Sequence, residues 1–206
     1  MVQVRLARTE DAAALAAIYA PYVEHTSITF EYDAPDAAAF AHRIGKICPD
    51  FPYLVCEVDG QVAAYAYAAR FRERAAFQWD AELSVYVAEP YHRRGIARAL
   101  CGCIADMLRK QGYFALYALI TVPNGSSVRL HERLGFHRIA TYPRTGYKLG
   151  AWHDMIVMEK RLALRPDHPD VPRAFSTLLP EFVENELQSA ADTLNGKTSH
   201  KKGSTK

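Results

Sequence analysis

Two apolar runs, YLVCEV and QVAAYAYAAR, meet at Asp59-Gly60 with nothing else between them. An Asp-Gly pair suits a two-residue turn whose central residues both take positive φ, so the runs are expected to pair as an antiparallel hairpin. The next segments narrow the fold further. ELSVYVA (Glu82–Ala88) reads as another strand and leads into a helix ending at about Gly112. FALYALITV (Phe114–Val122) is then an unbroken apolar run of the buried-strand type. A hairpin that feeds a strand, a helix and a buried strand specifies a mixed α/β domain.

The flanks complete the pattern. VQVRLA (Val2–Ala7) alternates as a strand does. Thr9 reads as an N-cap, with Glu10 and Asp11 in the first turn of a helix to about Tyr22. His25–Pro35 is a loop or short strand, and Pro35-Asp36 opens a second helix ending near Cys48. SSVRLHERLGF holds a short helix closed by Gly135, and FHRIATY and HDMIVMEKRL finish the sheet. The expected order is β-α-α-β-β-β-α-β-α-β-β, a domain spanning residues 1–164.

Residues 165–206 form an extension of different character. Four prolines mark a linker, and Leu179, Phe182, Val183, Leu187, Ala190, Ala191 and Leu194 recur at helical spacing. They predict one amphipathic helix that packs back on the domain or meets a partner. The last dozen residues are polar and basic and are expected to be disordered.

Composition excludes several classes. A net charge of +2 and the lack of an aromatic-basic face argue against nucleic-acid binding. No apolar run reaches the roughly 20 residues of a membrane span. The N-terminus lacks the order of a signal peptide. The four cysteines form no C-x-x-C pair and sit in apolar surroundings. No metal site is expected, and the chain reads as a reduced, cytoplasmic protein.

One stretch points to chemistry. Arg93, Arg94 and Arg98 crowd the start of the helix after Glu82–Ala88, where the exposed N–H groups already carry partial positive charge. Such clustering makes sense if an anion sits there. Neither G-x-x-x-x-G-K-[ST] nor G-x-G-x-x-G is present, so an ordinary P-loop and a Rossmann site are unsupported. Gly95 and Ala97 lack bulk, so backbone N–H groups of residues 93–98 can converge on a phosphate. The alternative is a solvated basic helix end.

The run His92-Arg93-Arg94-Gly95-Ile96-Ala97 resembles the Gln/Arg-x-x-Gly-x-Gly/Ala pyrophosphate loop of the GCN5-related N-acetyltransferases, with His at the first position. FQWDAELSVYV, VPNGSSVRLHERLGF and GYKLGAWHDM resemble the phosphinothricin acetyltransferase-like branch, which acetylates small amino acids such as phosphinothricin, methionine sulfone and methionine sulfoximine. The resemblance covers roughly residues 2–163. It implies a GNAT-type fold, a mostly antiparallel sheet flanked by helices. It also implies acetyl-CoA as cosubstrate, no metal, and a homodimer.

Site roles follow from the same resemblance. Arg93, Arg94, Gly95, Ile96, Ala97 and Arg98 would hold the CoA phosphates. Val85, Tyr86 and Val87 would run beside the pantetheine arm, with the Val87 N–H polarising the thioester oxygen. Asn124 and Ser127 would hold the same arm. Glu82 would be the general base, acting through water, and His131 the general acid toward the CoA sulfur. Phe30, Arg72, Arg74, Phe77 and His153 would form the substrate side. The branch carries Tyr where Phe77 stands, which directs the expectation to an amino acid related to phosphinothricin. Each residue also has a plain structural reading: strand mouth, turn, packed histidine or solvated loop. A protein N-terminus, polyamine or antibiotic amine is an alternative acceptor, and a non-catalytic acetyl-CoA-binding module an alternative role. The basic RFRER stretch counts against polyamines, and retention of Glu82 against the module.

Overall fold

The computed structural model describes residues 1–196; of the expected disordered end, residues 197–206 lie outside the described residues. The elements are β1 (Val2–Leu6), α1 (Ala12–His25), α2 (Ala37–Ile47), β2 (Tyr53–Val58), β3 (Gln61–Arg70) and β4 (Asp80–Val87). They continue with α3 (Ile96–Gln111), β5 (Ala115–Val122), α4 (Gly125–Arg133), β6 (His137–Lys148), β7 (Ala151–Arg161) and α5 (Pro180–Leu194). The seven strands form one sheet in the order β1-β2-β3-β4-β5-β7-β6. Every neighbouring pair is antiparallel except β4 and β5.

The hairpin turn has the conformation its sequence predicts, with Asp59 at φ 51° and Gly60 at φ 80°. A second such turn, Leu149-Gly150 at φ 51° and 78°, extends β6 and β7 through GYKLGAW. The start of α1 differs from expectation. Thr9–Asp11 is a 3-10 turn, which shifts the helix boundary to Asp11. The Asp11 carboxylate accepts the Arg8 N–H at 2.8 Å and grips the Arg5 guanidinium through both oxygens, whereas the Thr9 hydroxyl turns to Glu10. The helix also runs beyond Tyr22 to His25, through Pro21.

Helices cover both faces. On one, α3 and α5 pack over Leu54, Ala66, Leu83 and Leu116; on the other, α1 and α2 pack over Tyr53, Val55 and Tyr65. The β4–β5 ladder has only three rungs, pairing Asp80–Glu82 with Ala115–Tyr117. Beyond it β4 stays with β3 and β5 stays with β7. Each half of the sheet keeps its own partner, and twist carries the two strands apart.

The extension packs back on the domain. Val183, Ala190 and Ala191 are buried against the core that α3 shares. The Asn195 side chain accepts the Val2 N–H at 3.0 Å and donates to the Val2 carbonyl at 2.8 Å, so its amide takes the place of a neighbouring strand at the β1 edge. Leu179 does not join the apolar face: it stands at the N-cap in an extended conformation, 70% exposed, and Leu178 turns inward instead. Cys56, Cys101 and Cys103 are buried, whereas Cys48 is half-buried because it caps the end of α2.

Candidate active site

A cavity of about 250 Å³ opens where β4 and β5 part. Glu82, Ser84, Val85 and Tyr86 line it from β4, and Ala118 to Thr121 from β5. Asn124, Ser127 and His131 close one end, and Ile28, Thr29 and Phe30 reach in from the loop after α1.

Along β4 the backbone divides its partners. The Ala88 N–H donates to the Ala63 carbonyl, so by alternation Tyr86 spends its groups on β3 while Val85 and Val87 turn theirs to the open edge. The Val87 carbonyl accepts the Tyr22 hydroxyl at 2.5 Å and lies 2.9 Å from His92 Nε2. His92 therefore folds back onto the strand end. Tyr86 instead presents its ring to Tyr19 and Tyr22, edge-on at 4.7 and 5.3 Å between centroids.

At the start of α3, Gly95 takes the left-handed conformation at φ 82° and Arg93 at φ 62°. Among the described residues no acceptor pairs with the backbone amides of residues 93–98; the first bonded amide is that of Ala99, to the Gly95 carbonyl. Six amides at a helix start, with Arg93, Arg94 and Arg98 exposed around them, are an arrangement that can receive an anion. A Cβ added at Gly95 would meet only Leu194 Cδ2, at 3.8 Å. The glycine is therefore required by its φ rather than by close approach of a ligand to its α-carbon.

Glu82 sits at the last rung of the β4–β5 ladder and lines the cavity. Burial raises its carboxyl above the ordinary value, against an opposing pull from the Arg72 cation. Among the described residues nothing donates a hydrogen bond to it. It is thus a better proton acceptor than a solvated carboxylate.

His131 is 3% exposed. Its Nδ1 lies 2.8 Å from the Ser127 carbonyl, which can only accept, so Nδ1 carries the hydrogen. That leaves a lone pair on Nε2, which is buried and without a partner among the described residues. Burial lowers the imidazole pKa, with the Ser127 hydrogen bond opposing. The ring packs edge-on against Phe136 at 5.0 Å. His131 in this form accepts a proton or hydrogen bond from the cavity, and it can act as an acid only after gaining a proton. Asn124 caps α4 by accepting the Ser127 N–H at 3.2 Å, which leaves its amide NH₂ for the cavity.

The expected substrate residues divide. Phe30 lines the cavity. Arg72 lies outside the lining, stacked over Phe71 at 4.5 Å and close enough to act on the Glu82 charge. Arg74 and Phe77 stand on an exposed turn away from the lining, where Phe77 meets the edge of Phe71. His153 Nε2 lies 2.9 Å from the Lys148 carbonyl and ties the β6–β7 turn instead of reaching the cavity. The sequence reading missed Thr29, Thr121 and Met155 as lining. Thr121 had a signal, being the only hydroxyl aliphatic in FALYALITV. Thr29 and Met155 had none, because loop folding and strand pairing bring them in. Among the described residues no group of three or more His, Cys, Asp or Glu is placed to hold a metal, and no helix is long and apolar enough to cross a membrane.

Residues 4–157 match a family model described as an acetyltransferase (GNAT) domain. Phosphinothricin N-acetyltransferase of Streptomyces viridochromogenes is 34% identical over 154 residues, covering 75% of this chain and 84% of the relative. An L-methionine sulfoximine/L-methionine sulfone acetyltransferase of Salmonella typhimurium is 32% identical over 160 residues, covering 77% of this chain and 94% of the relative. The crystal structure of a GNAT superfamily phosphinothricin acetyltransferase from Sinorhizobium meliloti, in complex with AcCoA, superposes with a TM-score of 0.78. It is 28% identical, over 84% of this chain and 98% of that one.

Proposed function

Because the chain belongs to the GNAT acetyltransferase family, we propose that it transfers acetyl from acetyl-CoA to the amino group of a small L-amino acid or analogue of the methionine sulfone type. The observation that carries this reading is one cavity joining an unpaired β4 edge to a carboxylate of raised pKa, with an amide-rich basic loop at the strand's far end. Acetyl-CoA supplies an activated thioester carbonyl and a thiolate leaving group.

The chain's residues account for the rest. The amides of residues 93–98, including Gly95, Ile96 and Ala97, hold the pyrophosphate, and Arg93, Arg94 and Arg98 add charge for the outer phosphate. Val85 and Val87 would offer backbone groups to the pantetheine arm, and the Val87 N–H would polarise the thioester oxygen. Tyr86 contributes a wall, and Asn124 and Ser127 bound the arm's other side. Glu82 removes the ammonium proton through water. The Nε2 lone pair of His131 holds a proton or hydrogen bond near the leaving sulfur. Phe30 walls the acceptor, and Arg72 tunes Glu82. Residues 1–164 are the catalytic unit, with 165–196 as a packed extension, in a reduced cytoplasm suited to free cysteines.

A thiol-release assay with acetyl-CoA and a panel of amines tests this. Methionine sulfone, methionine sulfoximine or a related free amino acid is expected to release CoA faster than polyamines or peptide N-termini. Release with polyamines or peptides alone would overturn the substrate class.

We also propose a homodimer. The β6 edge is long and exposed, and Ile139, Tyr142, Tyr147 and Trp152 on the β6–β7 hairpin are 49, 41, 48 and 53% exposed. An open edge with apolar side chains is a template for another chain. Sedimentation is expected to give the mass of two chains, and a single-chain mass at micromolar concentration would refute this.

A further inference from the structure

Gly146 in β6 faces His153 across the β6–β7 ladder and has no part in the proposed acetyl transfer. A Cβ built on Gly146 would lie 2.6 Å from Phe30 Cε1 and closer still to Cε2 and Cζ. Real Cβ atoms essentially never approach within 3.0 Å, so the aromatic ring occupies the space any other residue's side chain would need. Its φ is not in the left-handed region, so backbone conformation does not explain the glycine.

The loop that carries Phe30 is held on both sides of it. Lys148, almost fully buried, donates from Nζ to the Thr29 carbonyl at 2.7 Å. Tyr19 hydrogen-bonds the Thr29 hydroxyl at 2.6 Å and Glu31 at 3.0 Å. Arg43 grips both Glu31 oxygens at 3.0 and 2.8 Å, and the Tyr32 hydroxyl donates to the Tyr147 carbonyl. The backbone around Phe30 is therefore tied to α1, α2 and β6, and it cannot retreat without breaking several of these bonds. A side chain at position 146 must displace the ring, and the open space beside that ring is the cavity it lines.

We infer that Gly146 determines acceptor specificity: its missing side chain lets the Phe30 ring lie against β6, and so sets how much of the cavity is left for the acceptor amino acid. This rests on the cavity being the acceptor pocket of an N-acetyltransferase. Any residue larger than glycine at 146 drives the ring inward and selects for smaller acceptors, without touching the amides of residues 93–98.

The test is Gly146→Ala with the best amino-acid acceptor of the wild type. Its KM for that acceptor is expected to rise about 10- to 100-fold, the range for a methylene-scale misfit in a pocket. KM for acetyl-CoA should stay within about twofold, and in a Phe30→Ala background the added Gly146→Ala should change the acceptor KM by no more than about twofold, because the ring it displaces is gone. An unchanged acceptor KM, or a loss that is equally large in the Phe30→Ala background, overturns the inference. A crystal structure of Gly146→Ala gives a second readout: the Phe30 ring should have moved into the cavity, and a ring in its original place also overturns it. Should the wild type acetylate no amino acid, the proposed substrate class fails, while the ring position still decides the role of Gly146.

Discussion

Glu82→Gln is expected to lower turnover about 10²- to 10⁴-fold while leaving acetyl-CoA affinity near the wild-type value. The amide keeps the size and the strand position but cannot take a proton from the ammonium. The proposed acetyl-CoA contacts lie elsewhere, on the open part of the β4 edge and at residues 93–98, so calorimetry should detect little change. The pH profile separates this role from a structural one. Burial raises the Glu82 pKa, and the ionised form is the active one, so kcat/KM should climb with pH through a limb above the ordinary carboxylate range. That limb should be absent from the residual activity of the variant.

Stability gives an independent check. A carboxyl raised on folding binds its proton more tightly in the native state. It therefore loses stability as pH rises from the unfolded pKa through the folded one. The penalty grows as pH rises toward and past the folded pKa, and glutamine removes it. The Tm of Glu82→Gln should exceed that of the wild type at pH 7 and approach it near pH 4. A variant with wild-type turnover at neutral pH would assign the base to another group.

Gly95→Val is expected to weaken acetyl-CoA binding about 10- to 100-fold. At φ 82° a β-branched residue meets its own backbone and costs roughly 1–2 kcal/mol or more, and relaxing to negative φ rotates the peptide groups that begin α3. Those groups are the unpaired amides proposed to hold the pyrophosphate. Bulk alone does not produce the loss, because a Cβ here meets only Leu194 at an ordinary contact distance. Gly95→Ala should therefore share much of the loss despite its small size. Calorimetry with unchanged affinity for both variants would remove the phosphate-loop assignment.

Much of this molecule is readable residue by residue, where the cause is local. Asp59-Gly60 dictates a tight turn because of its own φ preferences. Gly95 with its arginines marks a helix start suited to an anion, because the amides there lack partners among the described residues. Glu82 stands out as the carboxylate of ELSVYVA, a stretch otherwise largely apolar, although β4 itself begins two residues earlier at Asp80. The family motifs point to His131 and Asn124, and both line the same cavity as Phe30.

What the sequence leaves open depends on partners distant along the chain. Whether α5 packs inward was decided by an apolar face meeting α3 and by Asn195 completing the β1 edge. The Ser127 carbonyl decided the His131 tautomer. His153 was drawn to the Lys148 carbonyl by the β6–β7 turn, away from the cavity. The cavity itself exists because β4 and β5 pair for three rungs and then follow different neighbours. Neither strand's sequence contains that divergence. It arises from hydrogen-bond register and twist summed across the sheet, as does the meeting of Phe30 with Gly146, 116 residues apart in the chain.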